Sequence, residues 1–180
     1  DEYVDAMPED QKYIYYACGD SIAAANGLPQ TEPIRDAGFD FLCFTEGVDE
    51  FAVQMLGAYK EKSFKSVNDD DLGLESDEEK EKTDELESEN KELLDFIVES
   101  LGGKISEAKI SHRLKTHPVC LTASGPISLK MEKYFKDAPA QGEKIKAQRV
   151  LELNAAHPAF AALKQAYVSD RDRAVDYAKL

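Results

Sequence analysis

A continuous apolar run near the start of the chain places the strongest constraint on its fold. Residues 13–18 read Tyr-Ile-Tyr-Tyr-Ala-Cys and lack the polar alternation of a strand with one face in water. Aromatic and β-branched residues in such a run are typical of a strand covered on both faces. Gly19, Asp20 and Ser21 then predict a turn into a helical stretch that Gly38 closes. The first strand is therefore predicted to lie inside a layered sheet.

The same order of strand and helix continues as far as residue 67. Residues 39–44 and 63–67 read as two further strands, and the stretch 48–59 between them reads as a helix. The helix is predicted from apolar residues three and four positions apart: Val48, Phe51, Ala52, Met55 and Tyr59. Strand, helix, strand, helix, strand at these lengths implies right-handed crossovers. We expect a small three-layer parallel-sheet βαβαβ subdomain of the α/β class over residues 1–70.

The composition changes abruptly after the third strand. Residues 69–92 hold thirteen acidic residues and three lysines, and so carry ten of the fourteen excess negative charges of the chain. Ser76 and Glu79 form a capping-box pattern, and an apolar stripe begins only at Leu93. The pattern predicts a linker and one long helix whose first half projects into solvent. A solvated helix face accounts for the charges better than an acidic interaction tail does.

The remaining residues mix strands and helices less regularly. Residues 108–114 and 119–123 read as a strand pair, and residues 150–153 read as another strand. A short helix is predicted from residue 126 to about 136, and Pro158 stands at the preferred first position of a further helix. The long helix and these elements together predict an α+β domain over residues 71–180.

The charge balance limits the kinds of partner. The net charge is −14 and the pI is about 4.6, so the chain lacks the clustered lysines and arginines that bind nucleic acid or an anionic membrane. No apolar run in the sequence is long enough to span a bilayer. Cys18, Cys43 and Cys120 form no CxxC pair, and we predict buried, reduced thiols of a cytoplasmic protein.

No motif in the sequence predicts a catalytic, cofactor-binding or metal site. The turn from Cys18 to Ser21 carries one glycine and an aspartate that would repel phosphate, so we interpret it as structural. His112, His117 and His157 have no metal-ligand spacing with cysteines or carboxylates. His157 precedes Pro158 at a helix start, which favours a capping or packing role. On an extended strand His117 and Cys120 would point to opposite faces and could not act together.

One amphipathic segment has two interpretations. Its apolar residues share one helical face: Ile127, Met131, Tyr134, Phe135 and Ala138. Such a stripe most often forms part of a core. However, this helix is short, follows Gly125-Pro126, and combines methionine with aromatic residues, as adaptable binding surfaces do. Composition alone leaves both interpretations open.

Several sequence blocks, taken in chain order, resemble the bacterial type of the ninety-kilodalton heat-shock protein family of chaperones. The blocks are Tyr3-Val4, Gln11-Lys12, Ile14-Tyr15-Tyr16, Val48-Asp49-Glu50-Phe51, Lys62 with Phe64 and Ser66-Val67, Ser111-His112-Arg113-Leu114, Met131-Glu132, Leu151-Glu152-Leu153-Asn154 and His157-Pro158. The resemblance covers almost the whole chain. It departs from the family pattern at Ala155, where proline is usual, and at Lys60-Glu61, where Asp-Gly often stands.

The resemblance implies an ATP-driven homodimeric chaperone that assists folding under stress and binds unfolded or partly folded client proteins. It implies that residues 1–70 end the middle segment and residues 71–180 form most of the dimerisation domain. The parts that bind ATP and Mg²⁺ would lie upstream, so this chain would not itself be an enzyme. The last helices of the dimer bundle would lie beyond Leu180, which would weaken dimerisation.

The resemblance also implies a client-binding site. The implied residues are Glu50, Phe51, Met131, Tyr134 and Phe135. Phe51 stands where the bacterial type often has tryptophan, so the aromatic ring is kept without an indole donor. The alternative function is a small nucleotide- or phosphate-binding α/β enzyme with an accessory domain. That alternative rests on the βαβαβ order alone, and the sequence has no Gly-rich phosphate loop.

Overall fold

A computed structural model describes residues 1–69, 71–137 and 145–180. The chain is mixed α/β and divides into two compact units. The first unit consists of Asp1–Glu75 and the described part of Lys130–Lys144. The second consists of Ser76–Leu129 and Ile145–Leu180. The sequence pattern gave no indication that a segment beginning at Lys130 returns to the first unit. The domain boundary at residue 70 stays a prediction.

The regular elements are as follows. Helices α1 to α9 span Glu2–Ala6, Ile22–Asn26, Glu32–Asp36, Asp49–Leu56, Asp77–Glu89, Lys91–Ser100, Leu129–Asp137, Pro158–Ser169 and Arg171–Ala178. Strands β1 to β7 span Ile14–Cys18, Leu42–Phe44, Ala58–Tyr59, Lys62–Ser66, Glu107–Ile110, Val119–Ser124 and Gln148–Leu153. Within the described residues, no helix is long and apolar enough to cross a membrane.

The first unit contains a sheet in the order β2-β1-β4-β3. β1 pairs in parallel with both β2 and β4, which confirms the parallel arrangement of the three predicted strands. β1 is buried, and Tyr15 and Ala17 pack with Ile34 and Val67 in the core of this unit. Tyr15 also donates a buried hydrogen bond of 2.8 Å to the carbonyl of Leu72.

The sequence prediction missed one strand of this sheet. The predicted helix 48–59 ends at Leu56, where Gly57 has a φ of +68°. Ala58–Tyr59 forms β3 and pairs antiparallel with β4. Lys60 and Glu61 between them both have positive φ, as in the two-residue hairpin turns that favour Asp-Gly. The helical spacing of Tyr59 is therefore coincidental.

The predicted long helix of the second unit is two helices. α5 ends and α6 begins around Asn90, whose backbone leaves the helical conformation at φ −108° and ψ 13°. The Asn90 side chain donates a hydrogen bond of 2.7 Å to the carbonyl of Leu86, at the C-terminal end of α5. α5 has the predicted Ser76–Glu79 capping box and no buried residue. α6, by contrast, buries Leu93, Leu94 and Ile97. The acidic half of the segment is thus solvated, as expected.

The predicted strand pair of the second unit is wrong. β5 and β6 do not pair with each other, because β7 lies between them in the order β5-β7-β6. β7 runs parallel to β5 and antiparallel to β6. His157 caps α8 through Nδ1, which accepts from the Ala159 amide, so the predicted capping role is confirmed.

A fully buried ion pair lies on one face of this second sheet. Glu152 on β7 and Arg113 after β5 are 0% and 1% exposed. Arg113 donates through Nε to Glu152 Oε2 at 3.0 Å and through its Nη2 to Oε1. Ser111 donates to Oε2 at 2.8 Å and Thr122 to Oε1 at 3.1 Å. The carboxylate therefore receives hydrogen bonds from residues on both sides of β7.

These contacts determine the ionisation of Glu152. Burial alone raises the pKa of this carboxyl, but the hydrogen bonds and charge of Arg113, with Ser111 and Lys109, lower it to about 2. A pKa below that of the unfolded chain stabilises the fold at high pH. The contribution is therefore complete above the ordinary pKa of 4.5 and is lost as the pH falls towards about 2.

We predict that Glu152→Gln destabilises the second unit by roughly 3–5 kcal/mol, because the Arg113 guanidinium stays buried without its counter-charge. The double variant Arg113→Met with Glu152→Leu should recover most of this loss, since it removes both charges. Hydrogen exchange of peptides from β5, β6 and β7 across a urea series measures the change. A Glu152→Gln variant as stable as the wild type, or a double variant less stable than Glu152→Gln, would contradict the prediction.

Candidate functional site

The apolar stripe of α4 faces solvent instead of the core. The buried side chains of this helix are Glu50 and Val53, which lie between the stripe positions. Val48, just before the helix, is 54% exposed, and Met55 is 90% exposed. Leu56 is 59% exposed. The spacing of the stripe identified the helix correctly, but these side chains lie on the surface.

Helix α7 packs on the first unit next to α4. The Phe51 ring lies 5.6 Å from that of Tyr134 and 5.4 Å from that of Phe135, measured between ring centroids. We call these three residues the aromatic cluster. Gly47 leaves room for it, because a Cβ at this position would lie 2.5 Å from Cδ2 of Tyr134. The pairwise geometry is edge-on or tilted, which aromatic rings favour.

Lys130 anchors α7 to the end of the parallel strands. Its Nζ donates to the carbonyl of Gly19 at 2.5 Å and to that of Thr45 at 3.0 Å. Both carbonyls follow directly after strands, β1 and β2 respectively. Lys133 adds an exposed ion pair to Asp20 at 2.6 Å, which contributes little by itself because water screens it. The ammonium of Lys130 thus occupies the position where many α/β folds bind ligands.

The predicted client-binding residues fall into two groups. Tyr134 is 41% exposed, and Phe51 and Phe135 are half-buried. Met131 and Glu50 are only 2% and 3% exposed, so they lie beneath the surface. Their assignment to a client site stays a prediction.

Burial in α7 extends beyond the predicted apolar stripe. Glu132, predicted on the polar face, is 2% exposed, so the helix buries part of that face too. Ala138 and the loop 138–142 lie outside the described residues. The prediction missed Val48, Met55 and Leu56 as surface residues. The spacing of Val48 and Met55 marked a helix face but did not show which way the face points, and Leu56 was not part of that pattern.

The first turn after β1 is structural. A Cβ on Gly19 would lie 2.6 Å from the backbone nitrogen of Ala25, so glycine is needed for the close approach of α2. Ser21 caps α2 by accepting from the Ala24 amide at 3.1 Å. The packing of α2 therefore explains the glycine in this turn.

The three cysteines are free thiols in strands. Cys120 is buried as predicted, whereas Cys18 and Cys43 are half-buried, which corrects the prediction for those two. Burial and the nearby Glu50 charge raise the pKa of Cys18 to about 12. Burial and Glu152 likewise raise the pKa of Cys120 to about 12. Both thiols are protonated at neutral pH and are poor nucleophiles.

Comparison with known proteins identifies similar sequences over the full length of the chain. A family model described as Hsp90 protein matches residues 1–180. The chain is 51% identical over 180 residues to the chaperone protein HtpG of Clostridium acetobutylicum, of which it covers 28%. It is 50% identical over 179 residues to that of Clostridium perfringens and 45% identical over 180 residues to that of Bacillus subtilis. These matches cover 99% and 100% of the chain and 28% and 29% of the relatives.

We predict opposite effects for two methionine substitutions in this region. Met131→Glu places an unpaired carboxylate in a buried position, so α7 should detach from the first unit and lose protection from hydrogen exchange. Met55→Glu changes a side chain already in water and should alter stability by at most about 0.5 kcal/mol. Hydrogen exchange and thermal melting of the two variants provide the test. Equal protection of α7 in both would show that Met131 does not hold the helix.

Proposed function

Because this chain belongs to the Hsp90 protein family, we propose that it is the client-binding and dimerisation region of an ATP-dependent chaperone. The chain spans about 28% of the length of the relatives it matches, so this function refers to a longer parent protein. The observation that carries the proposal is the apolar surface of α4 and α7 in the first unit. The comparisons give no support to the alternative of a nucleotide-binding enzyme.

We place the client on the exposed side chains of that surface. The client surface consists of the aromatic cluster together with Val48, Met55 and Leu56. Apolar side chains so close together on a surface are typical of sites that bind other proteins. Methionine and aromatic rings also adapt to varied partners, as a chaperone that accepts many clients requires.

Glu50 and Met131 have a supporting role in this proposal. Met131 is buried in α7 and holds the helix that presents Tyr134 and Phe135. Glu50 is buried on the inner side of α4, and Phe51 follows it directly in the chain. All five residues implied by the family resemblance thus contribute to the proposed site. The aromatic cluster contacts the client, and Glu50 and Met131 support it from below the surface.

The size of the surface implies weak binding by one copy. Complete burial of an exposed side chain such as Met55 against a client contributes ~1.5–3 kcal/mol. Association costs at least ~4 kcal/mol in lost freedom, so a few such contacts give low affinity. Two copies in a homodimer would raise the affinity through an effective concentration of order millimolar. Weak contacts of this kind allow a chaperone to release its client.

The remaining features of the proposal follow from family membership. The parent would be a cytoplasmic homodimer that binds ATP and Mg²⁺ through parts outside this chain. Residues 1–70 would form a three-layer α/β subdomain, and residues 71–180 an α+β domain that takes part in dimerisation. This chain by itself would have no catalytic activity and would dimerise weakly.

We expect no binding of ATP by this chain. No Gly-rich phosphate loop occurs in the sequence, and the Lys130 ammonium occupies the strand ends of the first unit. Titration calorimetry with ATP and Mg²⁺ should give only the heat of dilution. Saturable binding at micromolar concentration would instead favour the nucleotide-binding alternative.

The client surface is tested by the double variant Met55→Glu with Leu56→Glu. Met55 is 90% and Leu56 59% exposed, so the melting temperature should change little while suppression of aggregation of a heat-unfolded reporter protein falls severalfold. The matched control is Val168→Glu with Leu86→Glu, since Val168 is 82% and Leu86 40% exposed and neither lies on α4 or α7. An equal loss of activity in both variants would show that the client surface has no special role.

A further inference from the structure

The parallel strands β1 and β2 end side by side and leave carbonyl oxygens at their ends. Their pairing stops at Cys18 and Phe44, so Gly19 and Thr45 are the first residues beyond it. The amide of Gly19 donates to the carbonyl of Phe44 at 3.0 Å, which holds the two strand ends together. Backbone oxygens that are partly buried beyond the last strand pair need another donor. We call the carbonyl oxygens of Gly19, Phe44 and Thr45 the oxygen cup.

One ammonium group meets all three oxygens of the cup. The Nζ of Lys130 lies 2.5 Å from the oxygen of Gly19 and 3.0 Å from that of Thr45. The oxygen of Phe44 is farther away, at 3.5 Å. A lysine ammonium carries three N–H donors and no acceptor, so a single group can serve three carbonyls. The cup therefore has the geometry of a site for a primary ammonium.

Two carboxylates add negative charge near the cup. Burial and the Glu50 charge raise the pKa of the Cys18 thiol, and Lys130 opposes this rise. Asp49 raises the pKa of the same thiol further, so all three charges lie near the end of β1. Glu50 is 3% exposed, and water therefore screens its field only weakly. These carboxylates favour a cation in the cup, as the carbonyl dipoles do.

The loop between β2 and α4 contacts α7 at two points. Thr45 supplies an oxygen to Lys130, and Gly47 leaves the space that Tyr134 occupies. Lys130 and Tyr134 are four positions apart in α7 and so share one face of the helix. An ammonium seated in the cup therefore sets the rotation of α7 that brings Tyr134 to the ring of Phe51.

We propose that the oxygen cup is a binding site for a primary ammonium group. Occupation of the cup by Lys130 assembles the client surface, a step that rests on the client-binding function proposed above. A guanidinium does not fit the cup, because its donors lie in a rigid plane and do not converge on one point. Lys130 is thus a positioning residue, whose role is to seat the helix that carries Tyr134 and Phe135.

Truncation of the lysine tests the site. In Lys130→Ala the amides of α7 should exchange about tenfold or more faster, because the helix loses its seat while alanine favours the helical backbone. The matched control is Lys133→Ala, which removes the same charge from the same helix but only an exposed ion pair with Asp20. α7 should keep its protection in that control. Lys130→Arg should behave like Lys130→Ala, and exchange of β1 and β4 shows whether the sheet stays intact.

An added ammonium should restore what the truncation removes. Propylammonium matches the side-chain atoms that Lys130→Ala deletes, so it should fill the cup and return protection to α7 in a saturable manner. Tetramethylammonium at the same concentration carries the same charge but no N–H donor, and it should have no such effect. The wild-type chain should not respond to propylammonium, because the tethered Lys130 has the higher effective concentration.

Two readouts separate the ammonium site from the client function. Lys130→Ala should suppress aggregation of the heat-unfolded reporter severalfold less well, and propylammonium should restore part of that activity. Loss of activity in Met55→Glu with Leu56→Glu, together with unchanged α7 protection in Lys130→Ala, would overturn the ammonium site and leave the client function standing. Rescue of α7 protection by propylammonium, together with full activity of that double variant, would support the site and overturn the client function.

Other results would also overturn the ammonium site. The first is equal exchange of α7 in Lys130→Ala and Lys133→Ala. The second is wild-type protection of α7 in Lys130→Arg. The third is an equal effect of propylammonium and tetramethylammonium on Lys130→Ala. The last is a loss of protection in β1, β4 and α7 alike that propylammonium does not reverse, which would show a general role of Lys130 in stability.

Discussion

The Glu152 carboxylate is the interaction on which the second unit depends. A charge without water is costly in a protein interior unless hydrogen bonds and a counter-charge compensate for it. Arg113, Ser111 and Thr122 supply these, and they come from the two segments on either side of β7. A shift of strand register by one residue would turn Glu152 to the apolar face. The ion pair therefore favours the observed order, with β7 between β5 and β6 and Glu152 on the face opposite Leu151.

The loop after Arg113 is held by Asn154, which follows directly after β7. The Asn154 side-chain amide donates hydrogen bonds to the carbonyls of Lys115 and His117, both at 3.1 Å. Its backbone amide donates to the carbonyl of Pro118. The blocks Ser111-Leu114 and Leu151-Asn154, which resemble the chaperone family, thus meet in space. They serve the architecture of the second unit, whereas the proposed client surface lies on α4 and α7 of the first.

Local chemistry made several elements predictable from the sequence. The parallel strands, the Ser76–Glu79 capping box and the His157 cap depend on residues close in the chain, and all are confirmed. Strand neighbours were not predictable in the second unit, because β7 enters between β5 and β6 from later in the chain. Its buried Glu152 gave no sequence signal of a central strand, since charged residues are usually exposed.

In the candidate site, too, the helices were predictable from the sequence, whereas their packing partners were not. Spacing identified α4 as a helix, but a stripe of apolar residues does not specify whether it faces a core or a partner. The burial of Met131 depends on α7 returning to the first unit. Lys130 anchors that return through carbonyls of residues 19 and 45, which are more than eighty positions away in the chain. No pattern within α7 itself contains that information.

The acidic helix α5 explains how the chain tolerates the exposed apolar surface on α4 and α7. Exposed apolar patches promote association between copies, and a high net charge of one sign opposes it. α5 buries no residue, so its composition is free of packing constraints and can be strongly acidic. Residues 69–92 supply ten of the fourteen excess negative charges of the chain. General repulsion between copies thereby opposes self-association through that surface.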